Sequence, residues 1–204
     1  MTAPAVACIP FRVRIGVTGH RRLPDPTTVR RKLREVLDKK IGEMFAPEDG
    51  TKGSAPVVFS ISSSLAEGAD RLVAEEILRL PGSELEAVLP LTADNYEQDF
   101  ASFESKAEFR SLLRRARRTI VMKAVGDVRV AVNRDEAYEA AGRYVADHCD
   151  LLIAVWDGRP SRGRGGTAEI VAYARRKGVP LAIVPTEKRG GIRCERGGRG
   201  RKLK

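Results

Sequence analysis

Six short apolar runs are spaced along the chain, and between them apolar residues recur at every third or fourth position. Continuous apolar runs of this length are typical of strands that are buried on both faces, whereas the wider spacing is typical of helices. The predicted strands are Val13–Val17, Val57–Ile61, 85–91, 119–125, 150–156 and 180–184. The predicted helices carry their apolar stripes within residues 33–44, 69–80, 109–116, 137–148 and 166–177.

This regular alternation of strands and helices predicts an α/β fold, doubly wound, with a mostly parallel sheet and helices on both faces. Asp25 followed by Pro26 marks the start of the first helix, because Asp is a good N-cap and Pro is tolerated in the first turn. In sheets of this kind, ligands bind beyond the carboxyl ends of the strands. Residues directly after each strand are therefore the first candidates for function.

The first two predicted strands are each followed by residues suited to an anion. Glycines let the backbone approach a ligand, basic side chains attract it, and the amide groups at a helix start favour phosphate. After the first strand the candidates are Thr18, Gly19, His20 and Arg21. After the second strand they are Ser62, Ser63, Ser64, Glu67, Gly68 and Asp70. A tight turn with exposed basic residues, and serines that only cap a helix, would produce the same two patterns.

The third and fifth strands are also followed by polar residues. Asp94, Tyr96 and Asp99 are predicted to contact a ribose or a base, although a polar surface loop has a similar composition. After the fifth strand, an Arg-rich loop leads to a Gly-rich helix start, where amide groups and a hydroxyl are suited to phosphate. The candidates there are Asp157, Gly158, Gly165, Gly166, Thr167 and Glu169. Glu169 either faces the ligand or only complements the helix dipole.

Several function classes are disfavoured by composition and motifs. The chain lacks the P-loop pattern GxxxxGK[ST], and its first turn, GVTGHR, does not match the dinucleotide pattern GxGxxG. Three cysteines at irregular spacing predict reduced thiols, so no metal site is expected and no cofactor is required. No apolar run is long enough to span a membrane and no signal peptide is evident, which predicts a soluble, cytoplasmic protein without a membrane partner.

The net charge of +10 is concentrated at one end of the chain. Residues 188–204 contain eight basic residues and one acidic residue, together with many glycines and few apolar residues. This composition predicts a domain over residues 1–187 and a disordered basic tail over residues 188–204. The tail either contacts nucleic acid without sequence preference or is simply solvated.

The segment SSLAEGADRLVAEEIL resembles the Ser-Gly-Leu-Ala-x-Gly-Ile-Asp stretch of DNA-processing protein A, a member of the SLOG superfamily of Rossmann-like domains. Ser64 stands where that stretch has Gly, and Ala69 where it has Ile. The segment GRGGTAE is similar to the Pro-Gly-Gly-x-Gly-Thr-x-x-Glu motif of the LOG proteins in the same superfamily. It lacks the Pro, and its Glu169 lies one residue nearer the Thr. The superfamily also includes the sensor domain of TRPM channels.

This resemblance, which covers about Val13–Val184, implies two functions. SLOG relatives often sense nucleotides or NAD-derived signals such as ADP-ribose, which implies a nucleotide-sensing domain. A sensor without a second domain would act on a separate effector protein, and a homo-oligomer is possible. LOG proteins instead cleave a base from its ribose phosphate with a Glu and an upstream Arg, for which Arg134 and Arg143 are the candidates here.

A second resemblance supports the catalytic alternative. The segments CDLLIAVWDG and GGTAEIVAYARRKGVPLAIV are similar to the nucleoside deoxyribosyltransferases, whose nucleophile is a Glu. A carboxylate that attacks an anomeric carbon divides the displacement of the base into two steps. Under this alternative, the protein is an N-glycosidic-bond hydrolase or transferase with Glu169 as its catalytic residue.

Overall fold

The computed structural model describes residues 10–41, 57–122, 133–160 and 165–198. The strands are β1 Phe11–Gly19, β2 Val57–Ser63, β3 Glu84–Leu89, β4 Arg118–Val121, β5 Leu151–Val155, β6 Leu181–Val184 and β7 Arg193–Glu195. They form one sheet in the order β4-β3-β2-β1-β5-β6-β7. Every neighbouring pair is parallel except β6 and β7, which are antiparallel.

Helices cover both faces of this sheet. They are α1 Pro26–Glu35, α2 Ala69–Ile77, α3 Ala93–Tyr96, α4 Phe103–Arg115, α5 Arg134–Asp147 and α6 Thr167–Arg176. A π-helical turn, Val36–Lys40, continues α1, and a 3-10 turn, Glu97–Asp99, follows α3. The predicted α/β, doubly wound fold is confirmed.

Strand β5 shows why the predicted strands are apolar at consecutive positions. Leu151, Ile153 and Val155 belong to the core that α1, α2 and α4 cover, whereas Leu152 and Ala154 belong to the core under α5 and α6. Successive side chains of a strand point to opposite faces, so a central strand between two helical layers needs apolar residues throughout.

The predicted start of α1 is confirmed in detail. The carboxylate of Asp25 accepts a hydrogen bond from the backbone N–H of Thr28 (2.9 Å) and a second one from its hydroxyl (2.8 Å). Pro26 takes the first helical position, where its missing N–H costs nothing.

The structure corrects three sequence predictions. Residues from 188 onward were expected to be disordered, but Arg193–Glu195 form β7 on the edge of β6, and Arg175 holds Glu195 through two hydrogen bonds (2.6 and 2.8 Å). The pairing of β7 with β6 provides hydrogen-bond partners for backbone groups of β6 that would otherwise be exposed at the edge of the sheet. Residues 199–204 lie outside the described part. The fourth strand ends at Val121, before the predicted limit, and residues 123–125 are likewise outside it. The segment after β3 also differs from its prediction, because Tyr96 is buried.

The buried Lys32 of α1 fixes the path of the chain between β6 and β7. Its ammonium group donates hydrogen bonds to the carbonyl oxygens of Pro185 (3.3 Å) and Glu187 (2.5 Å). Burial lowers the pKa of Lys32 from its usual value. This contact ties the segment after β6 to the first helix.

A cluster of charges joins α1 to α2. The carboxylate of Glu76, whose side chain is 3% exposed, accepts hydrogen bonds from Arg30 (2.7 Å), Arg34 (2.8 Å) and Arg79 (2.6 Å). Burial raises the pKa of Glu76, but the hydrogen bonds from Arg34 and Arg30 outweigh this effect and the net pKa is lowered. The carboxylate thus stabilises the fold when ionised.

Glu76→Gln is expected to lower the free energy of unfolding by about 2 kcal/mol, because it leaves three guanidinium groups without their shared anion. The matched control is Glu75→Gln, which removes one half-exposed contact with Arg30 and is expected to cost under about 1 kcal/mol. Urea unfolding at neutral pH measures both values. An equal decrease in the free energy of unfolding for the two variants would show that the buried carboxylate of Glu76 contributes no more to stability than the more exposed one of Glu75.

Candidate functional site

The candidate site lies where the connections from two adjacent parallel strands diverge. Strand β1 pairs with β2 on one side and with β5 on the other, and its end is in register with that of β5 at Gly19 and Val155. The chain leaves β1 toward α1 and leaves β5 toward α6, which lie on opposite faces of the sheet. Divergence of this kind opens a crevice at the carboxyl edge of a doubly wound sheet.

His20 and Asp157 meet across this switch point. Atom Nε2 of His20 lies 3.0 Å from Oδ1 of Asp157 and 3.3 Å from the backbone nitrogen of the same residue. Burial raises the pKa of Asp157, but hydrogen bonds from the Arg159 amide and from His20 outweigh this and lower it overall. Gly158, with φ +85°, follows in a conformation that favours glycine. The segments that follow β1 and β5 are therefore in contact with each other.

The start of α2 packs directly against the segment after β1. The backbone N–H of Ala69 donates to the carbonyl of His20 (3.1 Å), so this amide is already occupied. Gly68 has φ +76°, and a Cβ at this position would lie 2.3 Å from the carbonyl oxygen of Arg21. Glycine is required here by both conformation and space. The second predicted group is therefore in contact with the first.

The turn between β2 and α2, residues 63–68, is held by its own side chains. Asp70 is fully buried and accepts hydrogen bonds from the amides of Ala66 and Ser64 and from the hydroxyl of Ser63. Burial raises the pKa of Asp70 to about 7, against the effect of these hydrogen bonds and of the Arg21 charge. Asp70 is thus part of the framework of the turn.

Two of the three candidate serines also make internal contacts. The hydroxyl of Ser62 donates to Glu86 (3.3 Å), and that of Ser63 accepts from the amide of Leu65 (3.0 Å) as well as donating to Asp70. Ser64 is half-buried, and its side chain has no such contact with the part of the chain that the structure describes. Glu67 accepts a hydrogen bond from the hydroxyl of Ser105.

The start of α6 is closed on one side by α5 and by its own first turn. Gly165 has φ +75° and packs against the backbone of Tyr138 and Glu139. Its N–H donates to the carboxylate of Glu169 (2.7 Å), while Gly166 is the N-cap residue and Thr167 is buried. Glu169, at the third helical position, therefore reaches back past the N-cap to the residue before it, one residue further than a Glu does in a capping box.

Tyr138, which the sequence analysis did not single out, connects the two halves of the site. The guanidinium of Arg21 lies over its ring, 5.2 Å from the centroid, and Gly165 packs against its Cβ. Its hydroxyl donates to Asp99, which also binds Arg134 (2.6 Å). Tyr138 follows a buried alanine in an ordinary amphipathic helix, so no local signal distinguishes it.

Tyr96 does not occupy the position that the sequence suggested. It is fully buried at the end of α3, and its ring packs against Phe100 and Phe109 at centroid distances of 5.0 and 5.7 Å. Burial raises the pKa of its hydroxyl. The predicted contact of Tyr96 with a ribose or a base is therefore wrong, because the segment after β3 folds inward as a short helix.

Glu169 also lines a shallow groove between α5 and α6, together with Glu139, Arg143, Tyr173 and Arg176. Arg143 forms an ion pair with Glu139 and lies over the ring of Tyr173, 5.1 Å from its centroid. Of the two arginines considered as partners of Glu169, Arg143 shares this groove, whereas Arg134 binds Asn95 and Asp99.

The molecule is a Rossmann-like α/β protein with its candidate site at the switch point. No protein-family model matches the chain, and no curated protein matches it either. Among solved structures, its fold is similar to that of DNA processing protein A from Streptococcus pneumoniae, with a TM-score of 0.53 and 17% identity. The match covers 84% of this chain and 50% of the other, so the chain spans about half the length of that protein. This similarity shows the fold alone.

Two further observations apply to the described ranges only. None of the helices there is both long and apolar enough to cross a membrane. The same ranges hold no group of three or more His, Cys, Asp or Glu side chains arranged to bind a metal ion.

Asp70→Asn is expected to remove a pH dependence of stability between about pH 4 and pH 7. The folded protein keeps the Asp70 proton up to a pH of about 7, whereas the unfolded chain releases it near the ordinary value of 3.8. Between these values the folded state binds more protons, so wild-type stability falls as the pH rises. The stability difference between variant and wild type should change by on the order of 3 kcal/mol across this window.

Urea unfolding of both proteins at several pH values measures this difference. Parallel curves for wild type and Asp70→Asn would show that Asp70 is ionised in the folded protein throughout the window. Asp150→Asn is a useful comparison, because that carboxylate accepts its hydrogen bonds from Arg14, in the first half of β1.

Proposed function

We propose that the chain binds a nucleotide or an NAD-derived nucleotide, such as ADP-ribose, at the carboxyl edge of its sheet. The observation that carries the proposal is the contact between His20 and Asp157 across the switch point of β1 and β5. It joins the two segments that flank the crevice in which doubly wound sheets bind ligands. Exposed Arg21, Arg22 and Arg159 in these segments favour an anionic ligand.

In this proposal the phosphates lie at the start of α6, along Gly166 and Thr167, where helix amides and dipole favour negative charge. The N–H of Gly165 joins this site when Glu169 releases it to bind the ribose. Arg21 closes the anion site, and Asp157 or Glu169 accepts hydrogen bonds from the ribose hydroxyls. Residues 62–68 form a wall of the crevice. Because the amides of Ser64 and Ala66 donate to Asp70, this wall would contribute its shape and the Ser64 hydroxyl.

The partners and location remain predictions. The fold similarity to DNA processing protein A agrees with the resemblance of the sequence to the SLOG superfamily. A ligand-sensing domain that acts on a separate effector protein is proposed from that resemblance. Nucleic acid as a partner of the basic tail is proposed from the charge of residues 188–204, of which 199–204 lie outside the described part. A homo-oligomer and a cytoplasmic location are consistent with this proposal.

Arg21→Gln is expected to weaken the binding of AMP or ADP-ribose by about tenfold, because it removes a charge-assisted contact with phosphate. Trp156 is the single tryptophan of the sequence and lies at the end of β5, beside the proposed site. Its fluorescence therefore measures affinity directly. A titration panel of NAD, ADP-ribose, AMP, cyclic nucleotides and deoxynucleosides covers the proposed ligand classes.

The control is Arg31→Gln, which removes an exposed charge of α1 and leaves the proposed site intact. It is expected to change the affinity by less than about twofold. A wild-type protein that binds no member of the panel would refute the proposal. Equal weakening by the two variants would show that only net charge matters.

A second candidate function is an N-glycosidic-bond hydrolase or transferase. The observation in its favour is that Glu169 and Arg143 line the same groove, which is the combination that the LOG resemblance implies. In this mechanism, the carboxylate of Glu169 attacks the anomeric carbon, the bond to the base breaks, and the base leaves with the bonding electrons and takes up a proton. Water then releases the sugar from Glu169.

Glu169→Gln separates the two candidate functions. An enzyme is expected to lose at least about a hundredfold in turnover while it still binds the nucleotide, because the amide is a poor nucleophile. A sensor is expected to keep its affinity within a few-fold. Proton NMR of the nucleotide mixed with each protein reports binding and the release of free base in one experiment.

Free base that accumulates at the same rate with wild type and with Glu169→Gln would exclude Glu169 as the nucleophile. Line broadening without free base in either sample would support the sensor. Glu139→Gln is the matched control, since it removes a carboxylate from the same groove without removing the one assigned to attack.

A further inference from the structure

We propose that Arg71 is a positioning residue for the nucleotide site. Its buried guanidinium fixes the turn of residues 63–68 and, through that turn, the position of the segment that carries His20 and Arg21. This inference rests on the proposed function, since it assigns the turn a part in ligand affinity. Arg71 is outside the crevice and is not itself expected to touch the ligand.

The turn contains a backbone conformation that needs external support. Leu65 has φ +57°, the only positive value at a non-glycine residue in the described ranges, and its side chain is fully buried. For a residue with a bulky side chain, this region is unfavourable by roughly 1–2 kcal/mol and persists where surrounding contacts over-determine it. The contacts around Leu65 therefore decide the shape of the turn.

Two consecutive polar residues of α2 supply those contacts. The carboxyl group of Asp70 accepts hydrogen bonds from the backbone N–H groups of Ser64 and Ala66, the residues on either side of Leu65. Arg71, a donor, binds the carbonyl of Leu65 itself through Nε (3.0 Å). The pair thus satisfies amide and carbonyl groups that the strained turn leaves outside any helix or sheet ladder.

Arg71 in turn is clamped from the far side by α4. Its Nη1 donates to the carbonyl (3.0 Å) and the hydroxyl (2.9 Å) of Ser105 and to the carboxylate of Glu108 (2.8 Å). Phe100 lies under the guanidinium plane, 4.4 Å away. The Ser105 hydroxyl also donates to Glu67, so α4 holds the turn at a second point.

The position of the turn determines the position of the segment after β1, because the two are in direct contact. Gly68 closes the turn, and the carbonyl oxygens of His20 and Arg21 lie against it, 2.6 and 2.3 Å from the place of a Cβ. Ala69, the next residue, donates to the His20 carbonyl. With so little space between the two segments, a shift of the turn must displace the segment that holds the proposed anion contact.

Stability alone gives little reason for an arginine in this position. A buried ion pair roughly repays the cost of removing its charges from water, and an apolar residue of similar volume often serves the core equally well. Arg71 is 2% exposed, and its Nη2 has no hydrogen-bond partner among the described residues. What arginine adds is a rigid set of donors that reaches the turn and α4 at the same time.

The test compares Arg71→Lys with Val145→Ala. Lysine keeps the charge but loses the planar set of donors, so it cannot bind Leu65 and Ser105 together. Val145→Ala removes buried methyl groups from the core on the opposite face of the sheet and provides a variant of lowered stability with an intact turn. Three quantities are measured for each protein: the thermal midpoint, hydrogen exchange at the Leu65 and Ala66 amides, and the Kd for ADP-ribose and AMP from Trp156 fluorescence.

Arg71→Lys is expected to raise the Kd by about tenfold and to accelerate exchange at the two turn amides by at least about tenfold relative to the rest of α2. Val145→Ala is expected to lower the thermal midpoint without either effect. Faster exchange at the turn with an unchanged Kd would overturn the inference, and so would responses that match those of Val145→Ala.

The two proposals fail in different ways. If no nucleotide binds the wild-type protein, the proposed function is refuted and the role of Arg71 in affinity falls with it. Hydrogen exchange then still decides whether Arg71 fixes the turn. If the wild type binds and Arg71→Lys binds equally well, the proposed function stands and the positioning role is refuted.

Discussion

The arrangement of the site depends on close backbone packing at the carboxyl end of β1. Two glycines make it possible: a Cβ on Gly19 would lie 2.4 Å from Cβ of Ala69, and one on Gly68 would lie 2.3 Å from the carbonyl of Arg21. Any side chain at these positions would separate β1 from α2 and β5. The switch point, where sheets of this kind bind ligands, lies between these elements, so its geometry depends on the packing of bare backbone.

Most polar groups around the candidate site form hydrogen bonds or ion pairs with each other. Asp70 and Arg71 bind the backbone of the turn after β2, Glu169 binds the N–H of Gly165, and His20 and Asp157 are in contact across the switch point. Groups whose positions are fixed by mutual contacts need little reorganisation when a ligand arrives, which favours binding. Because so many polar groups near the site already bind each other, the candidate phosphate contacts are confined to the start of α6 and the exposed arginines.

The fold by itself does not distinguish a sensor from an enzyme, because the same scaffold supports many chemistries. The distinction concerns Glu169, whose carboxylate is bound to the Gly165 amide and is exposed at the edge of a groove. A nucleophile must release this contact to attack a sugar, whereas a group that only orients a ribose can keep it. The role of Glu169, as a nucleophile or as a group that orients the ribose, therefore separates the two functions.

The sequence by itself determined the alternation of strands and helices, the start of α1 at Asp25, and the strand ends at which polar residues gather. These features arise from local periodicity, capping and backbone preference, which neighbouring residues set. Only the tertiary structure decided that Tyr138 bridges the two halves of the site, that Tyr96 turns inward, and that Arg193–Glu195 join the sheet. It also placed Arg71 between the turn and α4, since that role requires partners about 35 positions away along the chain. Contacts between distant segments leave no periodic trace in the sequence, so packing alone assigns them.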